Sequence, residues 1–276
     1  MTRWQDPSPL DRLPAGRTDG SLSSLWDGAV VGEGDAAGTI ASAQGRPRPI
    51  EAPGERLPTD ILLGTVEGVA WFARTVDEVT GEAMSWRDTD PATLDPLAAG
   101  VALARWHGGQ PPCEACGSAT RPDLAGARRI CVGCGQIQFP RIDPCVIVAV
   151  IDPDDRLLLA RQAQWAPRRV SVIAGFIEAG ESAEQAVHRE TLEEVGVRLS
   201  SLTYVGSQPW PMPRSLMLAF EARALDGGMK IDGDEIVEGA YYTRSDLAAA
   251  VDSGEVILPA GASIARSLIQ RWLSSG

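Results

Sequence analysis

Arg189, Glu190, Glu193 and Glu194 fall together near the end of the stretch Gly175 to Val197, GFIEAGESAEQAVHRETLEEVGV. On a helix turning about 100° per residue, Glu190 and Glu194 lie about 40° apart and Glu193 lies about 60° to their other side. Ala183, Ala186 and Val187 continue the same stripe one and two turns earlier. Leu192 and Val195 point roughly the other way, which predicts a helix packed on both sides. At an effective dielectric near 20, two carboxylates about 5 Å apart repel by roughly 3 kcal/mol. A dry site bears that only by protonation or by binding cations. Oxygen-only ligands favour Mg²⁺ or Mn²⁺ over zinc, and such ions act on phosphates. On the helix alone, a solvated acidic face with the glutamates merely neighbouring Arg189 explains the same residues.

A second constellation has thiolate chemistry. Cys113-Glu-Ala-Cys116 and Cys131-Val-Gly-Cys134 are two C-x2-C pairs fourteen residues apart, close to the common four-cysteine zinc spacing. Gly117 and Gly135 follow each pair and can take the positive φ that turns amides toward sulfur. Four thiolates make a closed, structural zinc site; redox pairs or disulfides are the alternatives, disfavoured in a reducing compartment. Cys145, in the apolar run PCVIVAVI, reads as a small core residue, and His107 and His188 read as surface or packing residues. A third segment, SQPWPMPRS from Ser207 to Ser215, is by itself a stiff loop packing a tryptophan.

Taken together these residues carry a resemblance. Gly175, five residues, Glu181, seven residues, Arg189-Glu190, then Glu193-Glu194 and Gly196-Val197 resembles the Nudix box, G-x5-E-x7-R-E-U-x-E-E-x-G-U. Thr191 departs from it where a bulky apolar residue is usual, which predicts altered packing and unaltered chemistry. The Ser207 to Ser215 segment resembles the S-Q-P-W-P-F-P-x-S motif of the NADH pyrophosphatase subfamily of Nudix hydrolases, whose zinc ribbon also directly precedes the catalytic domain. The resemblance covers residues 61 to 273. It implies hydrolysis of the NAD(H) diphosphate to AMP and nicotinamide mononucleotide, or removal of an NAD cap from RNA 5′ ends by the same chemistry. It implies Mg²⁺ or Mn²⁺ held by Glu190, Glu194, Glu235 and the Ala174 carbonyl, with Glu193 assisting the water, Arg189 orienting a glutamate, and Glu238 competing with Glu235. Gln208, Pro209, Trp210, Pro211, Met212, Pro213, Arg214, Ser215, Glu235 and Ala265 would line the substrate. Phe176 and Phe139 would flank its nicotinamide end, Phe139 across a homodimer. Met212 stands where the motif has Phe, a contact that sulfur can still make with a ring. Gly126 stands where some relatives carry a substrate-contacting glutamate, which removes that contact from the ribbon. A scaffold role, with a zinc ribbon beside an inactive Nudix domain, is the reading from another class.

The elements that must position these groups can be read from the pattern. ILLGTVEG and VAWFARTV, Ile61 to Val76, form a hairpin about a Glu-Gly turn, and Ala92 to His107 a helix with Leu94, Leu97, Val101 and Leu103 or Ala104 at helical spacing. Strands follow near 145–151, 157–161 and 170–174, then the glutamate-bearing helix, strands near 203–207, 215–222 and 238–243, and helices near 245–251 and 262–273. Residues 1 to about 55, rich in Pro, Gly, Ser and Asp, suit loops around weak strands. The expected fold is α/β (α+β): a Nudix α/β/α sandwich with a mixed sheet, spanning 139–276, preceded by a zinc ribbon at 109–138 and a smaller β-rich N-terminal domain with a linking helix at 1–108.

At 276 residues and 44% hydrophobic content the chain can build two ordinary cores. Its net charge of −12 disfavours sequence-independent nucleic-acid binding but leaves room for a local basic rim, for which Arg141, Arg168, Arg169 and Arg214 are candidates. Lys230 is the one lysine, a bias that base composition of the genome explains. No apolar run is long enough to span a bilayer, and the N-terminus has no signal-peptide core. A cytoplasmic enzyme without membrane partners is expected.

Overall fold

The computed structural model describes residues 6–13, 17, 19–35, 39–44, 46–48, 50–51, 54–86, 94–261 and 263–275. Residues 92 and 93, where the linking helix was expected to begin, lie outside that set. The chain divides into two compact units: Pro7–Ile142 with Trp210–Arg214, and Asp143–Pro209 with Ser215–Gly276.

In the first unit the described residues form β1 (Leu10–Asp11), α1 (Asp19–Trp26), β2 (Val30–Gly34), β3 (Thr39–Ala43), β4 (Arg46–Pro47), β5 (Ile50–Glu51), β6 (Ile61–Val66), β7 (Val69–Thr75), β8 (Ala83–Ser85) and α2 (Leu94–Gly108). The eight strands make one sheet, ordered β1-β6-β7-β2-β3-β4 with β5 on β2 and β8 on β3. β6 and β7 are the expected hairpin, and Glu67 (φ 51°) and Gly68 (φ 82°) supply its turn. Two positive-φ residues match the right-handed strand twist. Alternation along the hairpin builds two cores. Leu62, Ala70 and Phe72 face Leu22 and Val31 on one side, with Trp26 edge-on to Phe72. Ile61, Leu63 and Ala73 face Ala99 and Leu103 of α2 on the other. Helix α1 was not anticipated: its residues DGSLSSLW contain only two leucines and a tryptophan to signal burial.

The same unit carries β9 (Thr120–Asp123), β10 (Arg128–Cys131) and β11 (Ile137–Gln138), a small antiparallel sheet ordered β11-β10-β9. It is tied to the hairpin and helix by polar contacts. The Leu62 amide donates to Ala125 O at 3.0 Å. His107 is clamped between Arg129, whose guanidinium donates to Nδ1 at 2.9 Å, and Gly126 O, which is 2.8 Å from Nε2. Because the arginine can only donate, Nε2 carries the ring proton. Burial lowers the pKa of His107 and keeps the ring neutral.

The second unit holds β12 (Asp143–Ile151), β13 (Leu157–Gln162), β14 (Ile173–Phe176), α3 (Ala183–Val195), β15 (Leu199–Trp210), β16 (Ser215–Ala224), β17 (Ile236–Tyr242), α4 (Arg244–Asp252) and α5 (Ile264–Leu273). Six strands form a mixed sheet, β15-β16-β12-β13-β17 with β14 on β12; β12 runs parallel to β16 and antiparallel to β14. β12 is apolar throughout because both of its faces are covered. Ile147, Ala149 and Ile151 pack with Leu247 of α4 and Leu268, Ile269 and Trp272 of α5. Val146, Val148 and Val150 pack with Ala186, Val187 and Val195 on α3. The result is the α/β/α sandwich expected from sequence.

Candidate active site

Helix α3 begins with a complete capping box: the Ser182 side chain accepts from the Gln185 amide, and Gln185 returns the bond to Ser182 N. It ends at Gly196 in the left-handed conformation, φ 67°. Ala186 and Val187 anchor the stripe in the core, so Glu190 and Glu194, one and two turns on, point toward the sheet as the 100° arithmetic requires. Leu192, expected to be packed, is 48% exposed; only the Val195 side of the opposite face is covered. Thr191 is fully buried, and its hydroxyl donates to the Val187 carbonyl at 2.8 Å. That bond within the helix lets a hydroxyl residue stand where the box has an apolar one.

Arg189 organises the acidic groups. Its guanidinium makes a paired contact with Glu181 (Nε to Oε1 2.9 Å, Nη2 to Oε2 2.8 Å), reaches Glu190 at 2.8 Å and Glu193 at 3.2 Å, and donates to the Phe176 carbonyl at 2.8 Å. These bonds hold the Glu181 carboxyl below its usual range and raise the arginine's own pKa. Glycine is required at 175 because any Cβ there would overlap the Glu190 carboxylate. Ala174, Gly175 and Phe176 of β14 therefore lie alongside the glutamate, registered on Ile147, Val146 and Cys145 of β12.

Glu194 is the anomalous group. It is 4% exposed, and neither carboxylate oxygen has a hydrogen-bond partner. Burial pushes its pKa to about 8, with Glu235 and Glu190 adding to the effect. Glu190 is raised as well, first by burial. An orphaned buried carboxylate costs several kcal/mol when ionised unless a cation or proton meets it.

Glu235 comes from the loop before β17. Asp232 accepts the amides of Glu235 at 3.1 Å and Ile236 at 2.9 Å, which shapes that loop. A bulge at Arg161/Gln162 in β13 turns both side chains toward β17. Arg161 binds Glu238 at 2.7 Å, and Gln162 reaches Glu235 at 3.4 Å. Glu238 is thus engaged in an ion pair, while Glu235 is the acid whose charge bears on Glu190 and Glu194. Sequence reading did not single out Gln162 or the bulge, since nothing in LLLARQ marks a register shift.

Among the described residues, the four cysteines are the one group of three or more potential ligands whose donor atoms all lie within 4.8 Å of one another; the glutamates are more widely spread. Cys113 Sγ and Cys134 Sγ are 3.7 Å apart, Cys116 Sγ and Cys131 Sγ 3.5 Å. A zinc tetrahedron with Zn–S of about 2.3 Å has edges of about 3.8 Å, so the donor set fits zinc. Gly117 (φ 72°) and Gly135 (φ 75°) adopt the expected turn conformation, and the Gly133 and Cys134 amides point at Cys131 Sγ at 3.3 and 3.4 Å.

The Ser207 to Ser215 segment is more structural than its sequence suggests. Gln208 is buried, and its side-chain carbonyl accepts the Ile264 amide at 2.7 Å, capping the first turn of α5 beside Ala265. Trp210 stacks edge-on against Trp86 at 5.2 Å, and Arg105 donates to Met212 Sδ at 3.7 Å. Pro209, Pro213 and Arg214 are exposed, Pro211 and Ser215 buried, and Ser215 opens β16 opposite Asp143. Phe139 is 69% and Phe176 52% exposed; core packing therefore explains neither. At Gly126, φ is 85° and a Cβ would meet Ile61 at 2.7 Å, so the missing glutamate is a feature the local fold demands.

Comparison with known proteins bears on this geometry. The NUDIX domain model matches residues 141–259. The NAD-capped RNA hydrolase NudC of Mycobacterium bovis is 36% identical, covering 95% of this chain and 92% of that protein; NudC of Mycobacterium tuberculosis matches to the same extent. Human NAD-capped RNA hydrolase NUDT12 is 36% identical over 74% of this chain and 50% of its own length. With the box, its capped helix and its buried Glu194 in place, the chain belongs to the Nudix hydrolase family, in the group that includes these NudC and NUDT12 relatives.

Proposed function

We propose that this enzyme hydrolyses the diphosphate of NAD(H), giving AMP and nicotinamide mononucleotide, and acts by the same chemistry on NAD carried at the 5′ end of RNA. The observation that carries the reading is Glu194: a buried carboxylate with both oxygens unpartnered, beside Glu190 and facing the charge of Glu235. Such a donor set suits Mg²⁺ or Mn²⁺, which Glu190, Glu194, Glu235 and the Ala174 carbonyl would hold. A bound divalent ion supplies charge neutralisation for the diphosphate and a lowered pKa for the attacking water. Glu193, exposed and held by Arg189, would accept the proton of the attacking water. Arg189 fixes Glu190 and Glu193 and has no donor left to spend on substrate. The exposed ring of Phe176, and that of Phe139 across a homodimer, would flank the nicotinamide. Gln208, Pro209, Trp210, Pro211, Met212, Pro213, Arg214, Ser215 and Ala265 would serve the substrate as the family resemblance implies.

The chain works as three parts, 1–108, 109–138 and 139–276, with zinc in the second, and functions as a cytoplasmic homodimer. The relatives named for NAD-capped RNA support the capped substrate. No helix among the described residues is long and apolar enough to cross a membrane. The test is Glu194→Gln, assayed on NADH with each metal. Turnover falls about 10² to 10⁴, the range for loss of an essential acid or base group; a loss below tenfold contradicts the role given to Glu194.

A further inference from the structure

Between β13 and β14 the chain runs QAQWAPRR, Gln162 to Arg169, and this loop is rooted at the site. The Ala163 amide donates to the Glu235 carbonyl at 2.9 Å, and Gln162 reaches the Glu235 carboxylate. It is held at both ends. The Trp165 amide donates to Gln162 O at 3.0 Å, the Arg169 amide to Ala166 O at 3.2 Å, and the Arg168 carbonyl accepts from Ile257 N at 2.7 Å. Arg168 and Arg169 are nonetheless exposed, and Trp165 is half-buried. Arg168 spends one donor on the Gly254 carbonyl at 3.0 Å, Arg169 lies over the Trp165 ring at 5.6 Å, and neither makes an ion pair with a described residue. Among the acids near that root, Glu238 is offset by Arg161 at 2.7 Å, and Asp232 is turned onto the backbone amides of its own loop.

We propose that Trp165, Arg168 and Arg169 form the surface that receives the RNA chain following an NAD cap, and so set the enzyme's preference for capped RNA over the free dinucleotide. The inference rests on the pyrophosphatase reading above. Free NAD ends at its adenosine and has nothing to place on this loop. A single-stranded continuation brings phosphates, which guanidiniums bind, and unstacked bases, which an aromatic face accepts whatever their identity. In a chain of net charge −12, a nucleic acid is favoured only locally, where cations without an ion pair among the described residues stand close together. Here two of them share a short, fixed loop with an indole.

The test compares kcat/KM on NADH and on a single-stranded RNA bearing a 5′ NAD, for the full chain and for R168A/R169A, R168K/R169K and W165A, between about 50 and about 200 mM salt. R168A/R169A is expected to lose tenfold or more on capped RNA while changing less than about twofold on NADH. Its salt dependence should become shallower by about 0.7 per contact removed, and the lysine pair should restore most of the loss. W165A should lose efficiency on capped RNA with the salt slope intact. Equal losses on both substrates, or no loss on capped RNA, overturn the proposal. Wild-type protein that cleaves NADH but not capped RNA overturns it while leaving the pyrophosphatase reading standing; cleavage of neither overturns both.

Discussion

Glu194 shows why a cation belongs in the catalytic unit. Its pKa of about 8 means that the metal-free protein holds it mostly protonated at pH 7, and a divalent ion must displace that proton to bind. Metal binding at pH 7 should therefore release close to one proton, read calorimetrically in buffers of different ionisation enthalpy; Glu194→Gln should release markedly less, and equal release would contradict the assignment. The sign for stability follows from the same shift. A carboxyl whose folded pKa lies above its unfolded value contributes stability at low pH that is lost as pH rises toward 8. Metal-free protein should thus lose this contribution between about pH 4.5 and pH 8, with added Mg²⁺ or Mn²⁺ offsetting the loss. The neighbouring glycine belongs to the same account, because the Glu190 carboxylate fills the space a side chain at 175 would need.

Elements show a division between what sequence spacing reveals and what it hides. Helix α3 was legible because its apolar and acidic positions share one stripe, and β12 because its apolar run is uninterrupted, as a strand covered on both faces requires. Helix α1 was not, since eight residues with three large apolar side chains do not establish a period; its burial comes from Val31, Leu62 and Phe72, contributed by distant strands. The exposure of Leu192 was hidden for a related reason, because angular position on a helix says nothing about whether a neighbour covers that angle. Gln208 is the sharpest case. A proline-bound glutamine in a substrate motif reads as a ligand contact, yet its carbonyl is committed to the Ile264 amide. Gln208→Ala should cost about 1 to 3 kcal/mol by leaving that buried amide unpaired, measured as a lower urea midpoint at unchanged slope. Unchanged stability with lost NADH affinity would return the residue to direct substrate contact.

Across the whole molecule, two kinds of metal chemistry sit in separately built settings. Thiolates at tetrahedral spacing fit a closed zinc site that would serve the fold, whereas the carboxylate site proposed above would leave coordination open for a reaction. Removing zinc should accordingly act through structure. Chelation, or Cys113→Ser, should lower the thermal midpoint and loosen the ribbon's anchoring on Leu62 and His107, as followed by hydrogen exchange of the Leu62 amide. Protection unchanged after verified zinc loss would contradict that division. The most direct test of the central claim is product analysis by mass spectrometry after incubation with NADH and Mg²⁺ or Mn²⁺ in ¹⁸O-enriched water, with Glu194→Gln alongside. AMP and reduced nicotinamide mononucleotide are expected, one of them carrying a single ¹⁸O on its phosphate, with both formed about 10² to 10⁴ more slowly by the variant. Free nicotinamide as the product, unlabelled phosphates, or no cleavage with either metal would contradict it.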